Sequence, residues 1–194
     1  TYSLEDIRNG LKSCYSDLKS DIKKKYGVTV TTFGAMGISG MMHGYMPFNE
    51  NGELLVPFRT WRNTTTEQAA NELSELFSFN IPQRWSIAHL YQAILNNEEH
   101  INDISYITTL AVYVHYLLTG EKAAGVGEAS GMFPTEGIGY NNSMIEKFRA
   151  LIAGKGYKWD IEGILPIVKK AGEQCGVLTE EGAKFLDADG DLKA

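Results

Sequence analysis

Cysteine is scarce in this sequence. Only Cys14 and Cys175 occur among 194 residues, and their separation suits neither metal ligation nor a dithiol redox pair. A disulfide framework is therefore not what holds the chain, and a reducing cytoplasm is the simplest setting. Cations are also in the minority, with 18 Lys and Arg against 24 Asp and Glu, a net charge of −6. Binding to a phosphate backbone depends on clustered cations, so nucleic acid is not an expected partner. The one basic run, Lys23-Lys24-Lys25, falls at the end of a predicted helix, where positive charge complements the helix dipole.

Long apolar runs are missing as well. The longest candidate, Ile104 to Leu118, is interrupted by Ser105, Thr108, Thr109 and His115 and is too short to span a bilayer, so no membrane partner is expected. No secretory leader pattern is visible, and there is no internal repeat or low-complexity linker. Among catalytic signatures, GxSxG, HExxH, paired CxxC and the Walker loop are all absent. Two near-motifs are read as turns. Gly125-x-Gly127-x-x-Ser130 approaches a dinucleotide fingerprint, but it follows a predicted helix and turn where that fingerprint needs a strand. Asp187-x-Asp189-x-Asp191 starts like a calcium loop, yet Gly190 precedes the third aspartate and no bidentate glutamate follows, so a solvated turn is expected and no metal site is assigned.

What is present is ordinary globular material, 43% hydrophobic and 22% charged. At this length roughly 70% of the unfolded surface can be buried, enough for a sizeable core without staples. Ser3 with Asp6 predicts a helix start, and Leu4, Ile7, Leu11, Leu18 and Ile22 keep one apolar face up to Gly27. Val28 to Ile38 is β-branched and apolar and predicts a buried strand ending in a glycine-rich turn. Tyr45–Phe48 and Leu54–Phe58 flank Asn49-Glu50-Asn51-Gly52, which predicts a hairpin. Thr64 and Glu67 are spaced as a capping box for a helix with Ala69, Leu73, Leu76 and Phe77 on one face. Further helices are predicted at Ala88–Leu95, from Asp103 to a stop at Gly120, at Ser143–Ala153 and at Ile161–Cys175, with Gly125–Gly131 as a loop.

Between the predicted strand and hairpin lies Gly37-Ile38-Ser39-Gly40-Met41-Met42-His43-Gly44. A plain hairpin needs no such insertion. An imidazole beside glycine leaves room for a ligand to approach side chain and backbone together, and ligands of open α/β sheets collect beyond the carboxyl ends of strands. Trp61 and Asn63 follow the hairpin. An indole face packs on the C–H face of a sugar, and an amide both donates to and accepts from hydroxyls. The structural alternatives are a surface His43, a core Trp61 and an Asn63 that merely caps the next helix. Trp61 is expected to be half structural, sealing the hairpin against that helix.

The segment GISGMMHG, followed by a hairpin and by Pro57-Phe58-Arg59-Thr60-Trp61-Arg62-Asn63, resembles the FGGY carbohydrate kinases, and its Met-His-Gly form is most similar to xylulokinases. The likeness continues through Tyr113–Gly120 and Gly127-Glu128-Ala129-Ser130-Gly131. It implies an α/β, ribonuclease-H-like domain of the actin and hexokinase type, incomplete at its amino-terminal edge and carrying added helices. Residues 1–194 would then be the sugar-binding part of the amino-terminal domain, with a nucleotide-binding second domain not covered. The implied reaction is phosphorylation of a sugar hydroxyl from ATP and Mg2+, with a homodimer compatible. By position, Met42, His43 and Gly44 would touch the sugar, Trp61 and Asn63 would complete the wall, and Arg84 falls near another contact. The family's lysine-and-tryptophan segment reads here Ile87-Ala88-His89-Leu90-Tyr91-Gln92. No counterpart of its Asp-Gly-Thr phosphate hairpin or of its glycine-framed catalytic aspartate occurs, so the covered residues alone are expected to be inactive. A sugar-binding or regulatory module without kinase activity is the alternative.

Overall fold

The computed structural model describes residues 2–194. Helix α1 (Leu4–Tyr26) starts on Ser3, whose side chain accepts from the Asp6 backbone N–H at 3.3 Å, and ends on Gly27 in the left-handed region. Its inward face is Leu4, Ile7, Leu11 and Tyr15. Leu18, expected inward, is exposed, because the inner position of the carboxyl half belongs to Lys19. That ammonium holds Asp187 at 2.8 Å, Asp191 at 2.9 Å and Asp189 at 3.1 Å. The aspartate tail is therefore a latch on α1, with Asp187 buried, where a solvated turn was expected.

The expected strand over 28–38 does not form. Its residues have strand propensity, but the backbone bond from the Lys193 N–H to the Thr31 carbonyl at 2.8 Å is not continued into a ladder among the described residues, and propensity without a ladder does not make a strand. Val28, Phe33 and Met36 stay exposed. The hairpin does form, loosely. Asn49 Oδ1 accepts from the backbone N–H groups of Asn51 and Glu53, and bridges join Phe48 to Leu54 and Tyr45 to Arg59. Between those bridges the second limb is longer than the first, so it bulges. Strand β1 (Met46–Phe48) finds a regular partner elsewhere.

Helix α2 (Glu67–Phe77) is preceded by Thr66, and the expected Thr64–Glu67 capping box is not made. Thr66 instead donates its hydroxyl to the Gln83 carbonyl at 2.6 Å. Helix α3 (Ser86–Leu95) is buried along almost its whole length. The helix expected from Asp103 is divided: a tight turn over Glu99–Asp103, then β2 (Tyr106–Thr108), then α4 (Leu110–Thr119), which Gly120 stops as expected. Strand β2 pairs antiparallel with β1 in the register Met46 to Thr108 and Phe48 to Tyr106.

A strand does precede the glycine-rich segment, contrary to the expectation of a plain turn. It is β3 (Ala123–Gly125), followed by a single helical turn, α5 (Val126–Ala129). A short antiparallel pair, β4 (Thr135–Glu136) with β5 (Gly139–Tyr140), leads to α6 (Asn142–Ile152), capped by Asn141. The helix expected at Ile161–Cys175 stops after one turn, α7 (Ile161–Ile164), because Pro166 cannot continue it. The chain turns instead into β6 (Ile167–Lys169), parallel to β3, and ends in α8 (Glu180–Leu186).

Two apolar cores result. One joins α2, α3, α6 and α7 around Phe133 and Phe148; the other joins α1, α4 and α8 around Met46 and Tyr113. The β1–β2 pair is the partition between them. Side chains alternate along a strand, so Tyr45 and Ile107 enter the first core while Met46, Phe48 and Tyr106 enter the second. Gly44 lies at the edge of this partition.

Candidate functional site

His43 and Gly44 both have positive φ, 67° and 101°. At Gly44 this requires glycine twice over, since a Cβ would also stand 2.6 Å from the Arg59 carbonyl oxygen and 2.9 Å from the Phe58 ring. Freed of a side chain, Gly44 fits between two neighbours. Its N–H donates to the Arg84 carbonyl at 3.1 Å, and its carbonyl accepts from the Ser86 hydroxyl at 2.6 Å. Met42-His43-Gly44 is thus clamped between the second hairpin limb and the loop entering α3.

His43 points at the turn after α5. Its Nδ1 lies 3.4 Å from the Gly131 carbonyl oxygen. A Cβ at Gly131 would come within 2.5 Å of that nitrogen and 3.1 Å of the Met42 methyl. Partial burial pushes the imidazole pKa down, the Arg84 cation adds to this, and the Gly131 carbonyl opposes it. The ring is consequently neutral at pH 7. With Nδ1–H directed at Gly131, Nε2 is left with a lone pair for a ligand donor.

The other expected residues divide. Arg84 is exposed and close enough to His43 for its charge to act on the ring. Trp61 follows Arg59 by two positions but is 45% exposed, with the Arg62 guanidinium 5.0 Å above its ring. It is no core residue and seals nothing against α2. Asn63 commits its Oδ1 to the Thr65 N–H at 3.1 Å and the Thr65 hydroxyl at 2.7 Å, leaving its NH2 group for other partners. Hydrogen bonds from Trp61 or Asn63 to His43 or Arg84 are absent among the described residues.

Three supporting residues escaped the sequence reading: Ser86, Gly131 and Arg59. Gly131 and Arg59 had a visible signal, lying in Gly127-Glu128-Ala129-Ser130-Gly131 and in Pro57-Phe58-Arg59-Thr60-Trp61-Arg62-Asn63; Ser86 had none. The Arg59 backbone pairs with Tyr45 at 2.8 and 3.2 Å, while its guanidinium grips Glu98. Glu98 lies 3.4 Å from His100 Nδ1, and His100 Nε2 lies 2.9 Å from the Tyr45 hydroxyl. His89 stacks on Tyr45 at 6.1 Å, with both ring nitrogens unpartnered among the described residues. Burial, with help from Arg59, lowers its pKa to about 4. This buried group holds the hairpin limb on which Gly44 rests.

Beside the clamp opens a cleft of about 1230 Å³, walled by residues 32–40, the inner side of α4, the whole of β3 and residues 170–178. Met42 is on its wall.

The sequence pattern of the FGGY family of carbohydrate kinases, N-terminal domain, matches residues 1–189. No curated protein sequence matches the chain. Among solved structures, a ligand-bound xylulose kinase from Lactobacillus acidophilus superimposes with a TM-score of 0.74 at 14% identity, over 97% of this chain and 38% of that one. A gluconate kinase from the same organism gives 0.74 at 14%, over 97% and 37%. A xyloylose kinase from Brucella ovis gives 0.70 at 19%, over 92% and 35%. The chain therefore spans little more than a third of the length of these kinases. At such identities the likeness establishes the fold, the α/β architecture of actin and hexokinase type. With the pattern matched over nearly all of its length, the chain belongs to the FGGY family of carbohydrate kinases.

Proposed function

We propose that these residues form the sugar-binding portion of an ATP-dependent kinase whose acceptor is a ketopentose such as xylulose, or a related ketose or polyol. The observation that carries this reading is the clamp on Gly44, which sets His43 between Arg84 and Gly131, next to Met42 on the cleft wall. Two of the similar structures are described as xylulose and xyloylose kinases, which favours a ketopentose. In this reading neutral His43 accepts a hydroxyl proton's hydrogen bond at Nε2, and Arg84 donates to a sugar oxygen. Met42 and the exposed face of Trp61 pack on C–H surface. Met42-His43-Gly44, Trp61, Asn63 and Arg84 are the proposed contacts.

ATP and Mg2+ belong to the family reaction, but the residues here do not fit them. Among the described residues no three His, Cys, Asp or Glu side chains converge on a cation position. The glycine-rich turn that follows β3, Gly125 to Gly131, has Glu128 in its middle, which would repel phosphate. Nucleotide and metal are therefore assigned to the remainder of the kinase, and the role of this chain is to bind and orient the acceptor.

Titration calorimetry with D-xylulose tests the reading. The chain should bind the sugar, and His43→Ala should weaken binding by about 1–3 kcal/mol, the cost of a lost buried hydrogen bond, with its thermal transition nearly unchanged. Equal affinity in the folded variant would refute the assignment.

A further inference from the structure

We propose that Glu98 is a positioning residue for the acceptor site, keeping His43 aimed at Gly131 through the side chain and backbone of Arg59. This rests on the sugar-binding reading above and adds a residue which that reading leaves outside the site.

A closed circuit of polar contacts joins Glu98 to the clamp. The Arg59 guanidinium donates to Glu98 Oε2, the same oxygen faces His100 Nδ1 at 3.4 Å, and His100 Nε2 lies 2.9 Å from the Tyr45 hydroxyl. A carboxylate beside Nδ1 places the ring proton there, so Nε2 accepts from the tyrosine. Backbone bonds between Tyr45 and Arg59 complete the circuit, and the Arg59 guanidinium lies 5.6 Å from the centre of the Tyr45 ring. Glu98 is itself fixed just past the end of α3: its N–H donates to the Ala93 carbonyl at 3.0 Å, and Asn96 Nδ2 donates to Oε1 at 3.5 Å. Helix α3 therefore holds the clamp from both ends, Gly44 through Ser86 and Arg59 through Glu98.

That circuit governs the backbone beside His43. A Cβ on Gly44 would stand 2.6 Å from the Arg59 carbonyl oxygen, so the carbonyl lies directly against Gly44 and any shift of the limb is felt there. His43, next in the chain, is a non-glycine residue at φ 67°, a conformation that persists only where neighbours impose it. The Arg59 and Glu98 side chains are only 20% and 25% exposed, and apolar side chains of similar volume would stabilise such a place as well as an ion pair does. What the pair adds is geometric, fixing how closely Arg59 meets Gly44. Burial works against the Glu98 charge, but the Arg59 hydrogen bond overcomes it and holds the carboxyl below its ordinary range. The grip is therefore in force at neutral pH.

The test is calorimetric binding of D-xylulose to the wild-type chain, Glu98→Leu, His43→Ala and the double variant Glu98→Leu/His43→Ala, each checked for an intact thermal transition. Glu98→Leu should bind about tenfold more weakly, the scale of one hydrogen bond to the sugar. The double variant should be no weaker than His43→Ala, because Glu98 reaches the sugar through His43. In NMR spectra the Cε1–H resonance of His43, identified by its loss in His43→Ala, should titrate at higher pH in Glu98→Leu, as a ring released from its half-buried place recovers its ordinary value near 6.5. A merely structural residue would move neither the coupling nor that titration. If Glu98→Leu strands the Arg59 charge and does not fold, Arg59→Met/Glu98→Leu removes both charges and carries the comparison. Wild-type affinity or an unmoved His43 titration in the folded variant, alongside weakened His43→Ala, overturns the inference and leaves the sugar-binding reading standing. A further loss in the double variant also overturns it. Absence of D-xylulose binding by the wild type overturns both.

Discussion

The hydroxyl of Ser86 donates across 2.6 Å to the carbonyl oxygen of Gly44, and both residues are buried. This bond ties the first turn of α3 to the Met42-His43-Gly44 segment, 42 positions earlier. Ser86→Ala would strand a carbonyl away from water, at a cost of about 1–3 kcal/mol. Urea unfolding should register that loss as a lower midpoint at unchanged slope, and the sugar affinity should fall with it.

Gly131→Ala should act on the ligand and spare the fold. The added methyl meets only the flexible ends of His43 and Met42, which can swing aside, but the imidazole then leaves its place. D-xylulose affinity should drop about as far as in His43→Ala, and the double variant should be no weaker than either single one. Additive losses in that double-mutant cycle would mean that the two residues act independently.

Trp61→Ala should leave the midpoint of thermal unfolding within about 0.5 kcal/mol of wild type, as expected for a surface position, because the indole is 45% exposed. Sugar binding should weaken if its free face is used. A loss of several kcal/mol in stability would place the ring in a packed setting that the fold does not give it.

His89 predicts an acid-sensitive fold. Its folded pKa of about 4 lies below the ordinary 6.5, so the unfolded chain takes up the proton first. The stability associated with neutral His89 is present above about pH 6.5 and is lost as the pH falls towards 4, at up to about 1.4 kcal/mol per pH unit. His89→Leu, which removes two unpartnered nitrogens, should flatten that slope in urea titrations while costing little at about pH 8. An unchanged slope would assign the acid sensitivity to the other histidines.

Much of this was legible in the sequence because it is locally encoded. Ser3 and Gly27 bound α1, Asn49-Glu50-Asn51-Gly52 turns the hairpin, and Gly120 stops α4 as their types require. Met42-His43-Gly44 stood out in the sequence as an insertion no plain hairpin needs, and the clamp explains its glycine. What failed depends on partners distant in sequence. The strand expected over 28–38 has propensity but no ladder partner among the described residues, and Tyr106–Thr108 reads as helix until Met46–Phe48 is laid beside it. Ser86 is an ordinary helix-start serine until Gly44 arrives, and Lys19 gives no sign of its three aspartates until α8 folds back. Trp61 was misjudged because hydrophobicity does not tell an exposed aromatic platform from a core residue.

The β1–β2 partition has a consequence for cooperativity. Because Tyr45 and Ile107 face one core while Met46, Phe48 and Tyr106 face the other, neither core can lose its wall without stripping the other of its own. The two clusters are thermodynamically one unit, despite their separate sets of helices. Damage to α6 is thereby transmitted to Gly44 as lowered stability of the whole and not as a change in its local geometry.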